Sequence, residues 1–237
     1  MALLSPYAAI LRRPGALRFS AAAFLARIPL AMDSLGIVLL VSAVTGSYEQ
    51  AGIVAATFAA AGALLSPIGA RWVDRWGQMR VVSVLVVAHC LSLTVLVIGA
   101  LRPWPLIALI AVSAIAGATA PATGSLVRAR WAVAVGDHPD LATAFAFESL
   151  LDEVIFILGP ALAAGLAATV GAPAPLIAAI IMVSTGCALL LSQRSTEPPV
   201  VVREQVQGRI SILAPGDRKS TRLNSSHEWI SRMPSSA

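Results

Sequence analysis

Charge is scarce in this chain. Asp, Glu, Lys and Arg make up only 12% of the residues and aromatic residues 5%, against roughly a quarter charged in ordinary soluble domains. So few charges exclude a conventional globular enzyme. Cysteine appears twice, as Cys90 and Cys187, each inside an apolar run. Two such thiols form neither a disulfide framework nor a metal site and are read as small packing residues. No metal-ligand spacing, nucleophile constellation, phosphate-cradling loop or nucleotide motif occurs, so the sequence points to no cofactor and to no ATP-driven pump. The first apolar run is followed by no small-residue cleavage pattern, and a cleavable signal is therefore not expected. Lysine and asparagine occur once each, as Lys219 and Asn224.

What fills the chain instead is apolar. The hydrophobic fraction is 57% and the mean hydropathy +0.81. After a basic lead, 1–16, six stretches approach the roughly 20 apolar residues that cross a bilayer: 17–44, 51–70, 81–100, 106–127, 141–170 and 175–191. The short turns between them hold Gly46 to Gln50, Arg102 to Pro105 and Gly171 to Pro173 on one side. On the other lie two richer polar stretches, one around Asp74 and one from Arg128 to Asp140. Gly117, Pro121 and Gly124 mark packing or kink points in the fourth segment.

Sidedness follows from arginine. Arg12, Arg13, Arg18, Arg71, Arg75, Arg80, Arg128, Arg130 and Arg194 fall on one side, while the opposite turns hold only Arg102. By the positive-inside rule both ends of the bundle are expected in the cytoplasm of a cell with a plasma membrane. The net charge of +5 then reflects membrane borders, not nucleic-acid binding. The expected fold is an all-α membrane protein, a six-transmembrane-helix bundle over 17–194.

Beyond residue 194 the composition changes. Residues 195–216 read as a cytoplasmic linker. From Asp217 the single lysine and asparagine join a cluster of serines, and 217–237 resembles translated adapter sequence, a non-native tail. A disordered native tail is the alternative.

The most specific stretch runs Pro67-Ile-Gly-Ala-Arg-Trp-Val-Asp-Arg-Trp-Gly-Gln-Met-Arg80. It is read as a short loop in which Arg75 and Arg80 reach Asp74 or lipid phosphates, and Gly77 supplies the turn. Asp74, Arg75, Gly77 and Arg80 resemble the loop between helices 2 and 3 of the major facilitator superfamily; Ala70 stands where that family usually has glycine. The resemblance implies a secondary transporter of two six-helix halves, each an inverted repeat, with substrate at the midplane between them. On that footing the chain is expected to be the N-terminal half, with a missing C-terminal half as partner beside the lipid bilayer, a small-molecule substrate, and a proton or another coupling ion. A self-contained six-helix enzyme or scaffold is the alternative.

Gly159-Pro160 in the fifth segment is similar to the Gly-Pro motif of drug antiporters in that family, although Ile155 and Ala164 replace expected glycines. An ordinary packing kink is the competing reading.

Charges inside the apolar segments are the remaining signal. Arg27 and Asp33 lie roughly 15 and 24 Å along the first segment and about 240° apart around it, so they do not pair with each other. An intramembrane charge needs a hydrated cavity or a partner. They are the candidate substrate or ion contacts; a structural pair between Arg27 and an acid of the fifth segment is the alternative. Glu148, Asp152 and Glu153, with Arg128 and Arg130, are expected as an interfacial charge cluster, proton coupling being the other reading. His89 has no carboxylate near it in sequence and reads as a buried or interfacial packing residue, a proton carrier being the alternative.

Overall fold

The computed structural model describes residues 5–136 and 139–199, all before the point after Val202 where the chain divides. The loop residues Asp137 and His138, the linker beyond 199 and the compositionally distinct tail lie outside the described residues.

Among the described residues the regular structure is helical. A short α1 (Ser5–Leu11) precedes α2 (Ala16–Thr45), α3 (Tyr48–Trp76), α4 (Gln78–Leu101), α5 (Leu106–Thr119), α6 (Thr123–Val135), α7 (Asp140–Thr169) and α8 (Ala174–Ser192). With α5 and α6 taken together, six helices among the described residues are long and apolar enough to cross a membrane. Helices satisfy their own backbone groups, the condition for spanning lipid.

Two turns show how the sequence sets the hairpins. Gly46 takes a left-handed conformation (φ 67°) after α2, and the Ser47 hydroxyl accepts the Gln50 N–H at 3.2 Å to start α3. At the other end Gly77 (φ 87°) is the sole break between α3 and α4. The stretch read as a loop over 67–80 is therefore helical except at Gly77. Pro67 sits inside α3, and Asp74 and Arg75 occupy its last turn. An apolar run marks only the part of a helix that lipid covers; beyond it the helix continues on polar residues that its backbone bonds still hold.

The fourth apolar segment is likewise not one helix. It breaks at Ala120–Ala122, and the Ala120 N–H bonds back to the Gly117 carbonyl at 3.2 Å. Pro121 brings no N–H to the helical ladder, which accounts for the interruption.

Helix α2 is central, packed on α8, α7, α3 and α6; α5 fills between α3 and α4. Close crossings depend on glycine. A Cβ on Gly117 would come within 2.0 Å of the Phe58 carbonyl oxygen, one on Gly159 within 2.4 Å of the Ala31 Cβ, and one on Gly186 within 2.5 Å of the Ala26 nitrogen. Small residues at such crossings let helices associate without a hydrophobic drive from lipid. Leu30, Leu64, Val84, Leu91, Ile107, Ile157 and Ile181 point outward, as lipid-facing side chains do.

Candidate ion and substrate site

The buried polar side chains converge on α2 in two groups. The first is built on Arg27. Its Nε donates to the Ala23 carbonyl one turn back (3.2 Å), its Nη1 to Asp152 Oδ1 (2.7 Å), and its Nη2 to Glu148 Oε2. Glu148, wholly buried, takes two more donors on Oε1: the Ser20 hydroxyl at 2.7 Å and the Trp131 indole N–H at 2.6 Å. Asp152 closes the group through Arg128 Nη2 at 2.8 Å. Spacing explains the fit: Glu148 and Asp152 lie one turn apart on α7 and offer both carboxylates to one guanidinium. Phe19 packs edge-on against Trp131, with centroids 4.8 Å apart. Two cations meet two anions, so this cluster is electrically balanced.

The second group is Asp33 with His89. Asp33 Oδ2 and His89 Nε2 are 3.6 Å apart, both side chains buried between α2 and α4. His89 Nδ1 contacts the Ala116 carbonyl oxygen at 2.8 Å. Asp33 Oδ1 is buried with no hydrogen-bond partner among the described residues. Unlike Glu148 and Asp152, Asp33 has no guanidinium paired with it among the described residues.

The charges grouped together from the sequence divide in space. Arg27, Arg128, Glu148 and Asp152 meet. Glu153 is exposed and joins no ion pair among the described residues. Arg130 turns away from the acids: Nε bonds Gln78 Oε1 at 3.0 Å, and Nη1 bonds the Gln193 carbonyl and the Thr196 hydroxyl, both at 2.8 Å. It ties the ends of α4, α6 and α8 instead. Nearby, Glu197 Oε1 accepts the Met79 N–H at 2.9 Å, capping α4 where its own N-cap, Gly77, has no side chain.

Asp74 is exposed and forms no ion pair with Arg75 or Arg80 among the described residues. Arg75 lies 5.4 Å from the Trp76 ring centroid, and Arg80 borders an open groove with Trp76, Arg194 and Glu197. Gly159 lies at the crossing of α7 with α2, while Pro160 is exposed within α7. Cys90 and Cys187 are free thiols, and the described residues hold no group of three or more His, Cys, Asp and Glu placed for a metal.

His89 as the partner of Asp33 is what reading along the sequence missed, because the carboxylate lies on another helix. A signal existed. Asp33 is twelve residues before the last residue of α2, and His89 twelve before the last of α4, so two parallel helices aligned at those ends bring them to one depth.

The family model described as Major Facilitator Superfamily matches residues 17–228. No curated protein and no solved structure matches the chain.

Proposed function

Because the chain belongs to the Major Facilitator Superfamily, we propose that it carries a small solute across the membrane by alternating access, driven by an ion or solute gradient. The chain is a multi-pass membrane protein of transporter type. In the proposed arrangement both ends of the bundle face the cytoplasm, and these six helices form one wall of a pathway whose other wall is a second six-helix bundle.

The observation that carries the reading is the buried charge on α2. Arg27 and Asp33 sit inside a membrane-length helix, and each faces a neighbouring helix with a polar partner. A charge at such depth costs at least about 2.5–3.5 kcal/mol before it is compensated. Lipid-embedded packing alone gives no reason to keep two of them. Arg27, clasped by α7, supports a gating role for the α2–α7 contact; Asp33 supports contact with substrate or coupling ion. Asp74, Arg75, Gly77 and Arg80 at the α3–α4 turn, with Gly159-Pro160 on α7, are the proposed conformational elements.

The test is gradient-driven flux in proteoliposomes across a substrate panel, comparing the full-length gene product with residues 1–216 alone. Flux from the full-length protein and none from the fragment is expected. Equal flux from both would favour a self-sufficient homodimer of six-helix chains.

A further inference from the structure

We propose that Asp33 and His89 form the proton-binding site of this bundle, a pair that holds a single proton and is oriented by the carbonyl of Ala116. The proposal rests on the transport reading for its use, but the binding of the proton belongs to the pair itself.

The carbonyl fixes the starting point. A carbonyl oxygen only accepts, so the 2.8 Å contact with Ala116 requires His89 Nδ1 to carry a hydrogen. With no further proton, Nε2 would aim a bare lone pair at the Asp33 carboxylate 3.6 Å away. The other oxygen of that carboxylate, Oδ1, has no partner among the described residues. An anion so placed, facing a lone pair in an apolar interior, is poorly compensated. One added proton removes the conflict. On Nε2 it makes an imidazolium beside a carboxylate; on Oδ2 it makes a carboxylic acid aimed at a neutral imidazole. In both forms the pair is neutral. A second proton would leave a net positive charge with no anion to meet it. The balance is therefore one proton in, charge −1 to 0, and the reverse on release.

No neighbouring group substitutes for that proton. On α2, Arg27 is held by Glu148 and Asp152 of α7, and the remaining α7 acid, Glu153, is exposed. From α3 the group facing His89 is the uncharged Phe58 ring, centroids 6.3 Å apart. On α4, Cys90 lies within electrostatic reach of Asp33, and Cys187 of α8 within reach of Cys90. From α5 comes the Ala116 carbonyl. No Arg or Lys forms an ion pair with Asp33 among the described residues.

The helix break gives the proton a mechanical consequence. Ala116 would ordinarily receive the Ala120 N–H, but at the break that N–H goes to Gly117. The freed carbonyl takes His89 Nδ1, with a longer bond at 3.2 Å from the Thr119 hydroxyl. The protonation state of the pair is thus transmitted through one ring to the point where α5 ends and α6 begins, and loss of the proton pushes α2 and α4 apart at that level.

The test uses the complete chain in lipid nanodiscs with isotope-labelled histidine, and the probe is the proton alone. Infrared difference spectra are recorded across a pH series for the native chain, Asp33→Asn, His89→Asn and the control Cys90→Ser. In His89→Asn the side-chain amide N–H stands where Nδ1–H stood, so the bond to Ala116 is kept while the ring that titrates is lost. The expected result is a carboxylate and an imidazole component that titrate together at one pH in the native chain and in Cys90→Ser. Both components of that joint transition disappear in either pair variant, a loss of about one proton per chain. If Asp33→Asn removes a carboxylate component and leaves the imidazole transition unmoved, the two groups titrate independently and the proposal is overturned. Should Asp33→Asn not fold, His89→Asn decides alone: a joint transition that survives in it has the same effect. Proton-gradient-driven flux by the full-length gene product is a separate measurement. Its absence alongside an intact joint transition counts against the transport reading and leaves the site standing.

Discussion

Arg27 of α2 and Asp152 of α7 lie 2.7 Å apart, and the other arm of the same guanidinium holds Glu148. One cation thus clasps two turns of a neighbouring helix. Because Arg27 and Glu148 are withdrawn from solvent, removing one of them strands the other. Breaking a buried pair in this way costs about 3–5 kcal/mol, whereas replacing the whole set by apolar residues is often nearly neutral.

Arg27→Met alone is therefore expected to lower the thermal stability of the chain in nanodiscs markedly. Arg27→Met with Glu148→Leu and Asp152→Asn should recover most of the loss, since Arg128 reaches the solvent and Asp152 is only half-buried. The measurement is a mutant cycle on melting temperature. Additive losses across the cycle would show that these charges are not energetically coupled.

How much of this was visible in the sequence depends on what kind of signal each residue gives. Six spans, their order and Arg27 as a buried charge needing a partner follow from apolar runs and from the cost of charge in lipid. The acids that clasp Arg27 were visible as a pair four apart, Glu148 and Asp152; their contact with Arg27 was one of two readings. Helix ends were less visible, because hydropathy falls off at the lipid boundary while hydrogen bonding does not. That is why Asp74 and Arg75 lie in a helix and not in a loop. Arg130 looked like one more basic residue beside the acids, yet it faces Gln78, Gln193 and Thr196. Residues two apart on a helix point roughly 200° away from each other, so Arg128 and Arg130 do not face the same neighbours. Contacts between helices distant in sequence, such as Asp33 with His89, need the register of one helix against another, which no single segment encodes.

Helix crossings give the second prediction. Gly117→Ala would set a methyl group 2.0 Å from the Phe58 carbonyl oxygen, and backbone cannot yield as a flexible side chain does. The α3–α5 contact should open at a cost of about 1–3 kcal/mol. Gly165→Ala is the matched control: it lies in α7 with nothing within 4 Å of the added atom, and alanine is favoured over glycine in a helix by roughly 1 kcal/mol. The expected order of melting temperature is Gly165→Ala at or above the native chain, with Gly117→Ala well below. Equal values for the two would refute a tight crossing at Gly117.

A third expectation concerns the strap from Gln193 to Glu197. Arg130 holds its backbone and Thr196, and Glu197 caps α4 at Met79. Glu197→Ala removes the cap and should cost about 0.5–2 kcal/mol, as loss of an N-cap does. Amide hydrogen exchange read by mass spectrometry should show faster exchange in the first turn of α4 and little change in α7. Arg130→Met should release the strap as a whole, raising exchange across 194–199 along with that first turn. Unchanged exchange at Met79 in Glu197→Ala would mean the cap contributes nothing.

The last prediction turns on a sign. Asp74 is an anion in the final turn of α3, the end of a helix where the backbone dipole is negative, and it has no ion-pair partner among the described residues. A negative charge there opposes the dipole by about 0.3–1 kcal/mol at an exposed position. Arg75 in the same turn has the favourable sign. Asp74→Asn should therefore leave the stability of this chain unchanged or slightly raise it, while Arg75→Gln should lower it slightly. Both effects should shrink in high salt, because the groups are exposed and screened. On the transport reading proposed above, the same Asp74→Asn variant in the full-length gene product is expected to lose gradient-driven flux, because the partner proposed for the acid in the other access state would then lack its anion. Melting temperatures of the chain and flux of the full-length protein, measured on the same substitution, separate the two effects. A marked loss of stability in the chain alone would show that Asp74 is a structural residue of this bundle and would remove the reason to assign it to conformational change.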